Sequence, residues 1–267
     1  MQRSVSAHLA LEVTEPATLV LEIAVAQPYL DAGAASEELA VLGESGALAY
    51  TELLTRHGTR VHVVEAPAGA VTVDYAATID GRIAPVPVAP WDLLRYLRPS
   101  RYCESDALGP TALAEFAGVP REQLLEAVSS WVGTHLSYVP GSSLPTDGAQ
   151  ATLLAREGVC RDYAHLVVAL LRALDVPARV VGVYAPGIEP MDFHAVAEAY
   201  VDGGWQVVDA TALGPRESFV RIATGDDAAD IAFLSIHHGR ANVTAQQVTA
   251  VVDVLPDDDV TRQVAIG

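Results

Sequence analysis

The stretch from about Cys160 to Leu174 constrains the fold more than any other part of the sequence. Ala164, Leu166, Val167, Val168, Ala169, Leu170, Leu171 and Leu174 cover nearly every face of a helix. A helix apolar all round must be enclosed by other elements, as at the centre of a layered domain. The chain has 267 residues, enough for one large domain or two small ones with a substantial core.

The surroundings of that helix change character along the chain. Residues 5–25 are rich in Val, Leu, Ile and Thr and alternate in places, and 59–64 and 71–79 look the same, with a turn signal at Asp80-Gly81. Ser36 to Leu42 between them reads as a short helix or loop. Three prolines, Pro85, Pro87 and Pro90, then mark a domain boundary. Helical spacing follows at 91–97, at 113–116 and from Pro120 to Leu136, and Pro140 to Gly148 is a loop. Strands return at 178–184, 194–201 and 205–209, the last two joined by a hairpin at Asp202-Gly203-Gly204, and a last strand spans 243–255 before a frayed acidic tail. The expected class is α+β. A β-sandwich-like domain over 1–88 precedes a core over 89–242, where the central helix packs on an antiparallel sheet; residues 243–267 are left unassigned.

Charge narrows the chemistry. The formal net charge is −18, and all 16 basic residues are arginine. The absence of lysine excludes Schiff-base and P-loop lysine chemistry. The acidity argues against nucleic acid and anionic membranes as partners and favours basic ones. No run of about eighteen apolar residues suits a membrane span, and no signal-peptide pattern opens the chain, so a cytoplasmic setting is expected. Two cysteines, Cys103 and Cys160, make neither a disulfide scaffold nor a zinc quartet.

The sharpest chemical signal is Gly158-Val159-Cys160-Arg161-Asp162, where a cysteine opens the buried helix. The free N–H groups and positive dipole end there stabilise a thiolate and can donate to an oxyanion. A small buried apolar cysteine is the plainer alternative. A nucleophilic thiol needs a base, and the base needs an acceptor on its other nitrogen. His194, at the head of one strand, and Asp209, at the tail of the next, supply these. A two-residue loop at Gly203-Gly204 points both to one face, because opposed residue numbers then sum to an odd number. That loop also sets Asp209 opposite Glu198, about 13 Å along the strand from His194. A loop wider by two residues would bring the pair to a diagonal contact, and the sequence leaves both registers open.

These residues carry a resemblance. Gly158 to His165, continuing through Leu170-Leu171-Arg172-Ala173-Leu174-Asp175-Val176-Pro177-Ala178-Arg179, resembles the core motif of the transglutaminase-like superfamily. Phe193-His194-Ala195 resembles its histidine strand, and Trp205 through Asp209-Ala210-Thr211 its aspartate strand. Residues 96–103 and 222–230 resemble segments of a bacterial subgroup with an N-terminal β domain. Two positions depart from the pattern: Ala210 stands in the family's Asp-Pro-Thr, and Asp175 replaces its usual glycine. The resemblance implies a papain-like core with Cys160, His194 and Asp209 as a triad. It also implies an acyl-enzyme thioester formed from a peptide or protein amide and resolved by water or by an amine.

Other residues take lesser roles. Tyr138, ending the preceding helix, could give a second oxyanion donor. Asp162 and His165 lie on the catalytic helix, His165 five residues from Cys160 and off its face, as a packing or hydrogen-bonding group. Asp192 is an exposed turn residue, Cys103 is inert, and Trp91, Trp131 and Trp205 are core anchors. His237-His238 and Asp257-Asp258-Asp259 lack metal-site spacing, so neither metal nor cofactor is expected. The rival reading is a binding or scaffolding protein that keeps the fold without turnover. Composition leaves the oligomeric state open.

Overall fold

The computed structural model describes residues 1–267. The N-terminal part contains β1 (Gln2–Glu15), β2 (Ala17–Leu21), α1 (Gln27–Asp31), β3 (Ala35–Gly43), β4 (Gly46–Ala47), β5 (Tyr50–Leu54), β6 (Arg60–Ala66) and β7 (Gly69–Asp80). Alternation along β1 turns Val5, Ala7, Leu9, Leu11 and Val13 inward. The β1-β7-β3-β4 and β2-β6-β5 sheets are antiparallel and share one core, which includes Leu9, Leu19, Val64 and Val73. The segment expected as a short helix or loop is β3, which pairs with β7 from Ala35↔Ile79 to Gly43↔Val71. Its Glu, Leu and Ala residues favour helix locally, but β7 offers a full edge of backbone partners, and tertiary pairing overrides propensity.

The central part contains α2 (Pro90–Arg95), α3 (Ser105–Phe116), α4 (Leu124–His135), β8 (Ser137–Tyr138), α5 (Ala149–Ala155), β9 (Glu157–Gly158), α6 (Cys160–Ala173), β10 (Ala178–Tyr184), β11 (Phe193–Val201), β12 (Gly204–Val208) and β13 (Val220–Gly225). Every residue of α6 from Asp162 to Arg172 is buried, because α3, α4 and α5 cover one side and β10 and β11 the other. The sheet is antiparallel in the order β12-β11-β10-β13. Helix α3 is longer than its apolar spacing suggested, and α5 and β13 have no counterpart among the expected elements. Asp175 ends α6 in the left-handed region, at φ 58°, and Val176 N–H reaches back to Leu171 O at 3.0 Å. A helix C-terminus favours glycine there, and Asp is among the few residues that tolerate it. Trp205 is buried, but Trp91 is half exposed, under the Arg98 guanidinium rather than in the core, and Trp131 is only partly buried.

The chain then returns to where it began. β14 (Leu234–His237) pairs with β2, and β15 (Arg240–Val252) pairs with β1 from Arg3↔Val252 onward. Residues 234–242, assigned by sequence to the core, thus complete the N-terminal sheets, whose β1 and β2 edges would otherwise be bare. The tail is not frayed at its end. Val264 and Ile266 are buried beside Val183 and Phe219, and the buried Arg3 guanidinium donates to the carbonyls of Gly267, Gly81 and Phe219. The two units are packed together: Tyr184 donates its hydroxyl to Ile23 O at 2.7 Å, and Ala26 N–H donates to Arg221 O at 2.9 Å.

Candidate active site

The sequence around Cys160 explains its own geometry. Val159, in extended conformation, precedes the first turn of α6, and the Asp162 carboxylate folds back to accept its N–H at 2.8 Å. That return passes over Gly158, where a Cβ would meet Asp162 Cβ at 2.7 Å. Glycine before the cysteine is therefore a packing requirement. Asp162 is buried and also accepts from Ser143 Oγ and from Arg161, whose Nη2 donates to Leu144 O at 3.0 Å. The network ties the 140–148 loop to the start of α6.

His194 and Asp209 meet. His194 Nε2 lies 2.9 Å from Asp209 Oδ2, with both side chains buried. The register follows from the turn. The hairpin closes at Asp202-Gly203, both with positive φ, and not at Gly203-Gly204. This one-residue shift pairs Val208 with Ala197, so Asp209 stands a diagonal step from His194 and Val207, not Asp209, faces Glu198. Burial alone would lower the His194 pKa, but the charge and hydrogen bond of Asp209, aided by Cys160, push it up to about 10. Burial likewise disfavours ionised Asp209, yet the His194 charge and hydrogen bonds from His194 and Thr211 hold it below the usual range. With Nε2 occupied by Asp209, Nδ1 is the nitrogen left to serve a thiol.

Cys160 and His194 line one cleft of about 720 Å³, and Cys160 is only part-buried. Both units build it: Tyr102, Arg161 and Phe193 come from the core, and Glu22, Ser235 and Gln246 from the β sheets. Tyr138 does not end a helix. It sits in β8, paired in parallel with Gly158 of β9, two residues before Cys160. Burial, then the nearby Cys160 thiol, raise its pKa, while a hydrogen bond with the Cys160 backbone opposes that rise.

Of the remaining candidates, Asp192 lines the same cleft. His165 is buried, stacks on Tyr102, and accepts Ala228 N–H at Nε2 at 3.1 Å. Asp192 accepts from Phe193 N–H and Gln246. Cys103 is fully buried, which pushes its thiol pKa up to about 12. No group of three or more His, Cys, Asp or Glu side chains is placed to hold a metal ion. Sequence reasoning missed Thr211, whose N–H and hydroxyl both donate to Asp209 Oδ1, at 2.9 and 2.7 Å. The Asp-x-Thr spacing is the signal for such a turn.

A central helix opened by cysteine, beside an antiparallel sheet bearing a His–Asp pair, defines an α+β fold of the papain-like kind, and the chain belongs to the transglutaminase-like superfamily. The model of that superfamily matches residues 112–210, which hold Cys160, His194 and Asp209. A solved structure from Cytophaga hutchinsonii, provisionally described as a cysteine protease, is 32% identical. It aligns over 98% of this chain and 95% of its own, with a TM-score of 0.87, so the likeness includes the β sheets. An uncharacterised protein of Mycobacterium leprae is 28% identical over 145 residues, 51% of this chain and 50% of that protein. One from Mycobacterium tuberculosis is 40% identical over 65 residues, 24% of this chain and 21% of that protein. The matches thus span half or less of these curated relatives.

Proposed function

We propose that this protein is a cysteine-dependent enzyme that cleaves peptide or protein amides through a thioester at Cys160. The observation that carries the reading is the shared cleft: a thiol at the first turn of α6 beside a histidine whose far nitrogen is held by a buried carboxylate. His194 Nδ1 takes the thiol proton, and the thiolate attacks the amide carbonyl. The oxyanion forms against the N–H groups at the start of α6, with the Tyr138 hydroxyl as a second donor. His194 then returns the proton to the departing amine, and Asp209 holds the imidazole in orientation throughout. A second nucleophile, activated by His194, attacks the thioester and frees Cys160.

Water is the proposed second nucleophile, giving hydrolysis, because Cys160 is part-exposed in a roomy cleft and water must be excluded for an amine to win. Iodoacetamide labelling of the native protein near pH 6 tests the thiol step. Cys160 is expected to label far faster than the fully buried Cys103, and His194→Ala is expected to slow Cys160 itself by about tenfold or more. Equal rates at the two cysteines would sink the reading and leave a binding protein that retains the fold. Mass spectrometry of a glutamine peptide with added amine separates the two fates: free acid alone marks a hydrolase, and an amine adduct a transglutaminase.

A further inference from the structure

The carboxylates around the cleft are satisfied by protein donors, with one exception. Asp162 has Val159, Ser143 and Arg161, and Asp192 has Phe193 and Gln246. Glu22 differs. It follows β2 and is held by its backbone, which donates to Phe233 O at 3.1 Å, and its side chain lines the cleft with Cys160 and His194. Its Oε2 is shut off from solvent and has no hydrogen-bond partner. Arg161, the arginine that lines this cleft, is already engaged by Asp162, Ser143 and Leu144. Burial first, and the negative charge of Asp230 second, push Glu22 up to about 8. A shielded acceptor without a donor is costly, and native proteins satisfy nearly all such atoms. Glu22 as a residue is only part-buried and lines the cleft, so a partner for its carboxylate can approach from there, and a carboxylate is best matched by a cationic donor. Phe193, Phe233 and Ile231 line the same cleft and suit the alkyl stem that carries such a group.

We infer that Glu22 anchors a subsite for an ammonium or guanidinium group on the molecule that meets Cys160. The subsite rests on the function proposed above and adds to it the class of substrate. It also gives the β sheets a part in recognition. The cation could belong to a basic side chain of the amide substrate or to an amine that receives the acyl group.

The test is protection of Cys160 from iodoacetamide at pH 8.5, above the raised Glu22 pKa of about 8, by N-acetylarginine methylamide and its neutral isostere N-acetylcitrulline methylamide. The arginine probe is expected to slow labelling saturably at a concentration about tenfold below that of the citrulline probe, the low end for a charge-assisted hydrogen bond. Glu22→Gln keeps the shape and is expected to bring that ratio near one while leaving unprotected labelling within about twofold. Equal protection by both probes in the native protein, no protection by either, or a preference that survives Glu22→Gln would each overturn the subsite. A fast-labelling Cys160 without cation preference removes the subsite alone. Slow labelling that His194→Ala does not change removes the thiol reading instead. If Glu22→Gln weakens turnover only of donor peptides with a neighbouring arginine, the cation belongs to the donor; if only of transfer to agmatine, it belongs to the acceptor.

Discussion

Replacing Asp209 by asparagine should disable His194 in two ways at once. The first is charge. Asp209 outweighs burial and lifts His194 from an ordinary 6.5 to about 10. At about 1.4 kcal/mol for each tenfold, that is several kcal/mol in favour of the imidazolium. Without the carboxylate, burial drives the ring neutral at pH 6.5, and the thiol loses its cationic neighbour. The second is tautomer. Thr211 donates two hydrogen bonds to Oδ1, so the new amide keeps its oxygen there and turns its NH₂ toward His194 Nε2. Nε2 must then accept, and the proton moves to Nδ1, where it blocks transfer from the thiol. Adjacent unit charges at about 4 Å and an effective dielectric of 20 interact by about 4 kcal/mol, so alkylation of Cys160 at pH 6.5 should fall on the order of a hundredfold or more. At pH 9.5, where a thiol ionises unaided, the variant should approach the native rate. Adding Thr211→Val removes one of the two donors that hold the amide oxygen and leaves the backbone N–H of residue 211 in place, so it should recover only a small part of the loss. Native labelling by Asp209→Asn at pH 6.5 would refute the reasoning.

Further outcomes are expected at three other residues. Burial would raise the Glu198 pKa, but Arg221 and Arg179 hold it at about 2 against 4.5 unperturbed. A lowered acid stabilises above its unfolded value, so about 3 kcal/mol should be lost as pH falls from 4.5 toward 2, visible in urea unfolding and flattened by Glu198→Gln. That variant should also lose about 3–5 kcal/mol at neutral pH by stranding two buried guanidinium groups. Gly158→Ala forces a Cβ to within 2.7 Å of the Asp162 Cβ and should cost about 1–3 kcal/mol by thermal unfolding. Tyr138→Phe should lower kcat about tenfold or more with little change in KM if its hydroxyl serves the oxyanion; equal loss of kcat/KM through KM alone would assign it to substrate binding.

The parts of the molecule readable in the sequence are those written locally. An apolar surface on all sides identifies α6, and its opening cysteine needs no distant partner to be noticed. The meeting of His194 with Asp209 is different. Three turn-capable residues stand in a row at 202–204, and a shift of one residue separates contact from about 13 Å. Only the φ values of Asp202 and Gly203 decide it. β3 reads as a short helix or loop because its partner, β7, lies further down the chain, a contact no local propensity reports. The second wall of the cleft is the least legible part. Glu22 and Gln246 reach it from opposite ends of the chain through pairing of β14 with β2 and β15 with β1.

That pairing also governs how the chain must assemble. β1 precedes both its partners in the chain: β7 is soon available on one side, yet the other edge stays bare until β15 follows. The equilibrium cost of so long a closure is modest, since each doubling of loop length adds only about 0.6 kcal/mol. The kinetic cost is larger, because distant pairings slow folding and leave an apolar strand open to other chains in the interim. The core between these strands is therefore an insertion: cutting near residue 88 would strip β14 and β15 from one piece and one wall of the cleft from the other.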